Sequence, residues 1–165
     1  MKKLSFIAAA LSLTFSGLVF AHDHKEVGNP HALKDAKCEK SGKPSLTFRD
    51  DDDKTLFEKI KTGKITGTLR AGQRCFDGGA KAVELVKFDA DPAKAATFAK
   101  ATLVEEPYYI KLKDVAMNEA TAVNAAGFNG IKDPVEAAKA QFKHFYKDAT
   151  DDTVLTVIKF KVTGN

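Results

Sequence analysis

Tryptophan is absent from this sequence, and cysteine occurs only twice, at Cys38 and Cys75. Neither a Cys-x-x-Cys pair nor a mixed cluster of cysteine and histidine is present, which excludes the common zinc and thiol-redox motifs. The sequence also lacks a Gly-x-Ser-x-Gly elbow, a P-loop and a dinucleotide-binding fingerprint. Hydrolytic and nucleotide-dependent catalysis therefore have no positive support, and we expect a protein that is not an enzyme and needs no catalytic cofactor.

A strong excess of one charge is missing as well. The chain has 26 basic and 22 acidic side chains, a formal net charge of +4, and the two signs are interspersed. Nucleic-acid-binding proteins normally carry a concentrated basic surface. We therefore expect no nucleic-acid partner.

Long apolar segments are confined to the N-terminal region. A positively charged start precedes an apolar run over residues 4–20, and Val19 and Ala21 have the sizes that signal peptidase prefers at positions −3 and −1. The run contains several serine, threonine and glycine residues and is shorter than the roughly 20 residues of a membrane span. We predict a signal peptide over residues 1–21, a mature chain that begins at His22 without a transmembrane span, and a periplasmic or secreted protein.

Export would place Cys38 and Cys75 in an oxidising compartment. We predict a disulfide bond between them that ties the N-terminal segment to the main body. On the chain-entropy model this bond would stabilise the fold by roughly 3 to 4 kcal/mol.

The mature chain divides into a lead-in and one domain. Residues 22–44 are polar, contain glycine and proline and show no sustained apolar period, which is typical of a tail or extended segment. The remaining residues, 45–165, have the length and apolar content of a single α+β domain with its own core.

Local patterns predict the first elements of this domain. Residues 45–48 suit a short strand, residues 54–63 a short helix, and residues 65–76 a strand, turn and strand. The Asp77-Gly78-Gly79 sequence that follows is typical of a tight turn.

Two later segments resemble each other and suggest a repeat. Residues 82–92 and 122–134 share an Ala-Val pair, a phenylalanine and a terminal Asp-Pro, and each Asp-Pro is typical of a helix start. Strands are predicted after these helices, at residues 109–113 and 157–161. The order β-α-β-β-α-β predicts a ferredoxin-like sheet with two helices on one face, plus a disulfide-tied N-terminal extension. A cystatin-like helix on an antiparallel sheet is the alternative.

Four lysines alternate along the last two predicted strands, which would be the edges of a ferredoxin-like sheet. These residues are Lys111, Lys113, Lys159 and Lys161. They would either prevent edge-to-edge association or present a basic sheet face to an anionic partner. We interpret the protein as a non-catalytic binding or interaction module whose partner is an unknown protein or an anionic ligand.

The histidines near the predicted cleavage site support a second hypothesis, a copper- or nickel-binding protein. A free α-amine, two backbone amides and the imidazole of His24 would form the square-planar nitrogen set that suits Cu(II) or Ni(II). Alternatively, the amine and ring of His22 chelate copper, with His31 or His144 as a third ligand. This arrangement resembles the histidine brace of periplasmic copper chaperones and lytic polysaccharide monooxygenases, a resemblance limited to His22.

The densest charge in the chain is the run Asp50 to Asp53. It does not fit a calcium loop, because the sixth residue counted from Asp50 is Thr55 and the twelfth is Lys61. We expect these carboxylates to interact with the positive N-terminal end of the helix that follows.

Overall fold

The computed structural model describes residues 29–164, which form eight strands and three α-helices joined by short 3₁₀ turns. The strands are β1 Lys40–Gly42, β2 Ser45–Phe48, β3 Gly67–Ala71, β4 Arg74–Phe76, β5 Ala82–Lys87, β6 Ala96–Leu103, β7 Tyr108–Lys111 and β8 Val154–Gly164. The helices are α1 Leu56–Lys61, α2 Met117–Val123 and α3 Pro134–Phe145. No helix among these residues is long and apolar enough to cross a bilayer.

Six of the strands form one curled sheet in the order β2-β5-β6-β8-β3, and β7 also pairs with β8. The β2–β5 pair is parallel and the other pairs are antiparallel. The terminal strands β2 and β3 have no backbone pairing with each other, so the sheet ends in two free edges. The short strands β1 and β4 form a separate parallel pair.

Strand β8 is the centre of the domain because both of its faces are covered. Ile158 and Phe160 point into one apolar cluster with residues of β2, β5 and β6. Leu155 and Val157 point the other way, into a second cluster with α2 and α3. This alternation follows the two-residue period of a strand, and the β-branched and aromatic content of the segment suits it.

The two longer helices begin at defined caps. Asp133 accepts a 2.9 Å hydrogen bond from the Glu136 N–H, and Pro134 occupies the first turn, as the sequence predicts. Helix α2 uses the fully buried Glu119 instead. Its carboxylate accepts bonds from the Ala116 N–H at 2.9 Å and from the Tyr108 hydroxyl at 2.6 Å.

The α+β class and most of the predicted elements are confirmed, but the ferredoxin-like order is wrong. Residues after Asp91-Pro92 form a single 3₁₀ turn and then strand β6, where a helix was expected. Buried Ala99, Ala101 and Leu103 alternate with exposed residues along this strand. Pairing with β5 on one side and β8 on the other outweighs the helix propensity of its alanines.

The second half of the proposed repeat also differs from the prediction. Residues 122–134 contain the end of α2 and a 3₁₀ turn at Phe128–Gly130, and no strand. The backbone has positive φ at Asn124, Gly127 and Gly130, which ends the helix and turns the chain. The repeat is therefore absent, and three helices with a parallel β2–β5 pair also differ from the cystatin-like alternative.

The predicted disulfide is present: Cys38 and Cys75 are joined. It connects the lead-in, part of which forms β1, to β4 in the body of the domain. The predicted signal peptide, residues 1–21, lies outside the described residues.

Candidate anion-binding site

The free edges of β2 and β3 face each other across a gap, which we call the seam. Arg70, on β3, bridges the seam by donating a 2.7 Å hydrogen bond from its guanidinium to the Thr47 carbonyl on β2. Near the end of β3, the Arg74 Nε–H donates to the Ala71 carbonyl at 2.8 Å. Side chains therefore satisfy edge carbonyls that a neighbouring strand would otherwise bind.

All three arginines of the chain lie at the seam, and their positive charges are not matched by acids. Arg49 stacks on the Phe88 ring at 3.6 Å, and Arg70 lies over the Phe48 ring at 5.1 Å. Every ion pair recorded within residues 29–164 uses a lysine or a histidine, and none uses an arginine. Arg70 lies between the other two, because it lines one cavity with Arg49 and another with Arg74.

The surroundings of the Arg70 guanidinium disfavour its charge. Burial lowers the pKa of this guanidinium, the like charge of Arg74 lowers the pKa further, and interaction with the Tyr146 hydroxyl opposes both effects. Its Nε–H is inaccessible to solvent and has no hydrogen-bond partner. A charge in this position is costly unless an anion compensates it.

A cleft of about 530 Å³ opens beside Arg70, between the seam and helices α1 and α3. We call it the seam cleft. Its lining mixes polar side chains with apolar ones, and the aromatic members are Phe48, Phe88, Phe145 and Tyr146. Two of these rings are unusually open to solvent, since Phe88 is 37% and Phe145 52% exposed. Apolar surface around a few polar groups, here including the guanidiniums of Arg49 and Arg70, is typical of small-molecule sites.

The two carboxylates of the seam cleft have other partners. Asp53 accepts bonds from Lys59 Nζ at 2.8 Å and from both the Thr55 N–H and hydroxyl. These hydrogen bonds lower the pKa of Asp53 from 3.8 to about 2, and the bond from Lys59 contributes most. Asp52 lies 3.1 Å from the His144 Nε2. The predicted contact of the aspartate run with α1 is thus made by Asp53. His144, considered above as a third copper ligand, is half-buried against this run.

The four lysines predicted to line sheet edges have different surroundings in the structure. The prediction that residues 157–161 form an edge is wrong, because β8 is central. Lys159 is buried and lies 3.0 Å from Glu105, while Lys111 and Lys113 both bind Asp152. Lys161 is exposed on β8, so only Lys159 is withdrawn from the surface.

The histidines proposed as metal ligands are only partly described. His22 and His24 lie outside the described residues. His31 is exposed on a turn, where its N–H donates to the Asn29 side chain at 2.9 Å. Within residues 29–164, no group of three or more histidine, cysteine or acidic side chains is placed to hold a metal ion.

Sequence patterns did not identify the arginine cluster, because its members meet only through the curl of the sheet. Arg70 and Thr47 are 23 positions apart and lie on strands that are not neighbours in the sheet. One signal was available: all the arginines fall between positions 49 and 74, while 23 other cations in the chain are lysines. Arginine at such a site favours planar, bidentate recognition of oxyanions.

No protein-family model matches this sequence, and no curated protein does. Among solved structures, protein EF3133 from Enterococcus faecalis V583, described with the family DUF984, is similar with a TM-score of 0.50 and 11% identity over 66% of this chain and 67% of that one. An ASCH domain from Lactobacillus crispatus JV V101 has a TM-score of 0.46 and 11% identity over 76% of this chain and 80% of that one. At this identity the likeness to EF3133 concerns the α+β fold alone.

Proposed function

We propose that the protein is an exported, non-catalytic binding module that holds an organic anion in the seam cleft. The ligand would carry a carboxylate or similar oxyanion on an apolar, preferably aromatic, body. The observation that carries this proposal is Arg70, a partly buried guanidinium that has no carboxylate partner among residues 29–164.

The electrostatics of the seam favour an anion over a neutral ligand. A carboxylate beside Arg70 would compensate the burial of the guanidinium and the repulsion from Arg74 together. Arginine is suited to this role because its planar fork donates two parallel hydrogen bonds to one carboxylate. The carboxylates already in the cleft do not compete, since Asp53 is bound to Lys59 and Asp52 to His144.

The shape of the cleft supports an apolar body on the ligand. Its volume of about 530 Å³ lies within the range of roughly 300 to 1,000 Å³ that small-molecule sites occupy. Phe88 and Phe145 would lose their solvent exposure on binding, and burying such rings is favourable by roughly 25 cal/mol per Å² of apolar surface.

The proposal is tested by calorimetric titration of the mature protein with matched acids and amides. Phenylacetate, 4-phenylbutyrate and octanoate would each be compared with the corresponding amide at constant ionic strength. We expect at least one acid to bind and its amide to bind about tenfold more weakly or worse, because charge-assisted hydrogen bonds contribute about 1.5 to 3 kcal/mol.

Two variants and one control assign the binding to the cleft. Arg70→Met should remove the preference for the acid, and Phe145→Ala should weaken acid and amide alike. Lys132→Met, which removes an exposed charge elsewhere, should change nothing. Absence of binding by every acid, or equal binding of acid and amide, would contradict the proposal.

A further inference from the structure

A second, smaller pocket lies on the other side of Arg70, between the β1–β4 pair and the start of β2. We call it the basic pocket. Its volume is about 190 Å³, and its charged lining residues are Lys40, Lys43, Arg70 and Arg74. No carboxylate is among the residues that line it. The nearby acids Glu39 and Asp77 are hydrogen-bonded to Gln73 and Ser41 respectively.

The register of the β1–β4 pair forces two of these cations together. Lys40 lies directly opposite Arg74, and Ser41 lies opposite Cys75. Paired residues of neighbouring strands project to the same face, and like charges directly opposite each other are destabilising. Neither Lys40 nor Arg74 forms an ion pair within residues 29–164. A bound anion would turn this repulsion into two attractive contacts.

The hydrogen-bond donors of the basic pocket suit a compact anion with several oxygens. The Arg74 Nε–H is used by the Ala71 carbonyl, which fixes the guanidinium and leaves its terminal N–H groups for a ligand. Lys40 and Lys43 are exposed and contribute mobile ammonium donors. The volume of the pocket, far below that of the seam cleft, favours a tetrahedral oxyanion without a large organic body.

The disulfide holds this arrangement in place. Strand β1 has three residues and pairs with β4 alone, in a two-stranded sheet separate from the main one. A two-stranded pair this short is not stable by itself. Cys38, two residues before β1, is bonded to Cys75 in the middle of β4. The disulfide is therefore the covalent tie that keeps Lys40 opposite Arg74.

We propose that the basic pocket binds a doubly charged tetrahedral oxyanion, phosphate or sulfate, and that the Cys38–Cys75 disulfide assembles the pocket. This proposal does not rest on the function proposed for the seam cleft. Arg70 borders both sites, whereas Lys40 and Arg74 line only the basic pocket.

The test is a titration of the full mature protein with inorganic phosphate and, separately, with sulfate. Binding is monitored by ¹H–¹⁵N NMR, and NaCl holds the ionic strength constant. We expect saturable shifts of the amides of residues 40–43 and 74–76 with both anions, and none with chloride at equal ionic strength. Arg74→Gln and Lys40→Gln should each weaken binding about tenfold, and Lys132→Gln should leave it unchanged.

The role of the disulfide is measured on the same protein after reduction and on the Cys38→Ser, Cys75→Ser double variant. In both proteins the main sheet should remain folded, as judged by the amide signals of β8. Both proteins should bind phosphate about tenfold more weakly than the parent or not at all. If the parent shows no preference for phosphate or sulfate over chloride, or if Arg74→Gln binds as well as the parent, the site does not exist. If reduced protein binds phosphate normally, the pocket does not depend on the disulfide. Failure of carboxylates to bind in the seam cleft would leave all of these results unaffected.

Discussion

The guanidinium of Arg70 donates a hydrogen bond of 2.7 Å to the backbone carbonyl of Thr47, and this contact crosses the seam between the two terminal strands of the sheet. Unpaired strand edges are sites of unwanted association, and a charged side chain laid across the gap occupies one of the free carbonyls. The same side chain borders the seam cleft and the basic pocket. One residue therefore bridges the two free edges of the sheet and borders both of the proposed anion sites.

Replacement of Arg70 should affect ligand binding much more than stability. Arg70→Met removes the bond to Thr47 but also removes a partly buried charge without a counter-ion, and these contributions oppose each other. We expect the free energy of unfolding in urea to stay within about 1 kcal/mol of the parent value. A loss of about 3 kcal/mol would instead indicate that Arg70 is a structural residue.

Because of Asp53, the free energy of unfolding should depend on pH in the acidic range. The folded-state pKa of Asp53 is about 2, below the usual 3.8, so its stabilising contribution is complete above pH 4 and is lost as the pH falls towards 2. The Asp53 side chain is 36% exposed, and we expect Asp53→Asn to cost only about 0.5 kcal/mol at pH 7 because solvent screens the ion pair with Lys59.

Urea unfolding of the parent and of Asp53→Asn at pH 7, 4 and 2.5 measures this effect. The difference between the two proteins should shrink between pH 4 and pH 2.5. Asp51→Asn, at an exposed position in the same run, is the matched control. A difference that stays constant down to pH 2.5 would mean that the carboxylate of Asp53 is not selectively stabilised.

Glu119 should be a structural carboxylate rather than a functional one. It is fully buried, caps α2 and accepts a hydrogen bond from the Tyr108 hydroxyl. Glu119→Ala should therefore lower the free energy of unfolding by about 2 to 4 kcal/mol, through the lost cap of α2 and the lost hydrogen bond from Tyr108. Glu136→Ala, at an exposed glutamate in the first turn of α3, should cost less than about 0.5 kcal/mol. Similar losses in the two variants would refute this assignment.

The sequence predicted correctly those elements that are stabilised mainly by interactions between residues close together in the chain. The cap at Asp133-Pro134 begins α3, and the apolar alternation of residues 157–161 lies within β8, both as predicted. The same Asp-Pro signal failed at Asp91, because the following segment pairs with β5 and β8, which are distant in sequence. Buried Ala99 and Ala101 suit a tightly packed sheet as well as a helix, so composition alone did not decide between them.

The histidines at the predicted mature N-terminus give a prediction that concerns residues outside the described part of the chain. A mature protein that begins at His22 should bind one Cu(II) more tightly than a protein with an added N-terminal methionine, because the extra residue changes the spacing between the α-amine and the imidazoles. Affinity should fall on acidification, since binding displaces protons.

Competition titration with a chelator measures the copper affinity, and two substitutions separate the geometries. His24→Ala should abolish a site built on backbone amides, whereas His22→Ala should abolish a histidine brace. Equal copper affinity in the parent, the extended protein and both variants would exclude a metal site at this terminus.

The arginine side chains themselves give the most direct test of anion recognition at the seam. The chain has only three arginines, Arg49, Arg70 and Arg74, so the NMR spectrum of their Nε–Hε groups contains three signals, which substitution of Arg70 by methionine would help to assign. On titration with 4-phenylbutyrate, the signal of Arg70 should move furthest and saturate together with the calorimetric binding curve, and 4-phenylbutyramide should leave it in place. An Arg70 signal that does not move while the acid binds, or that moves equally with the amide, would contradict the assignment of Arg70 as the anion receptor.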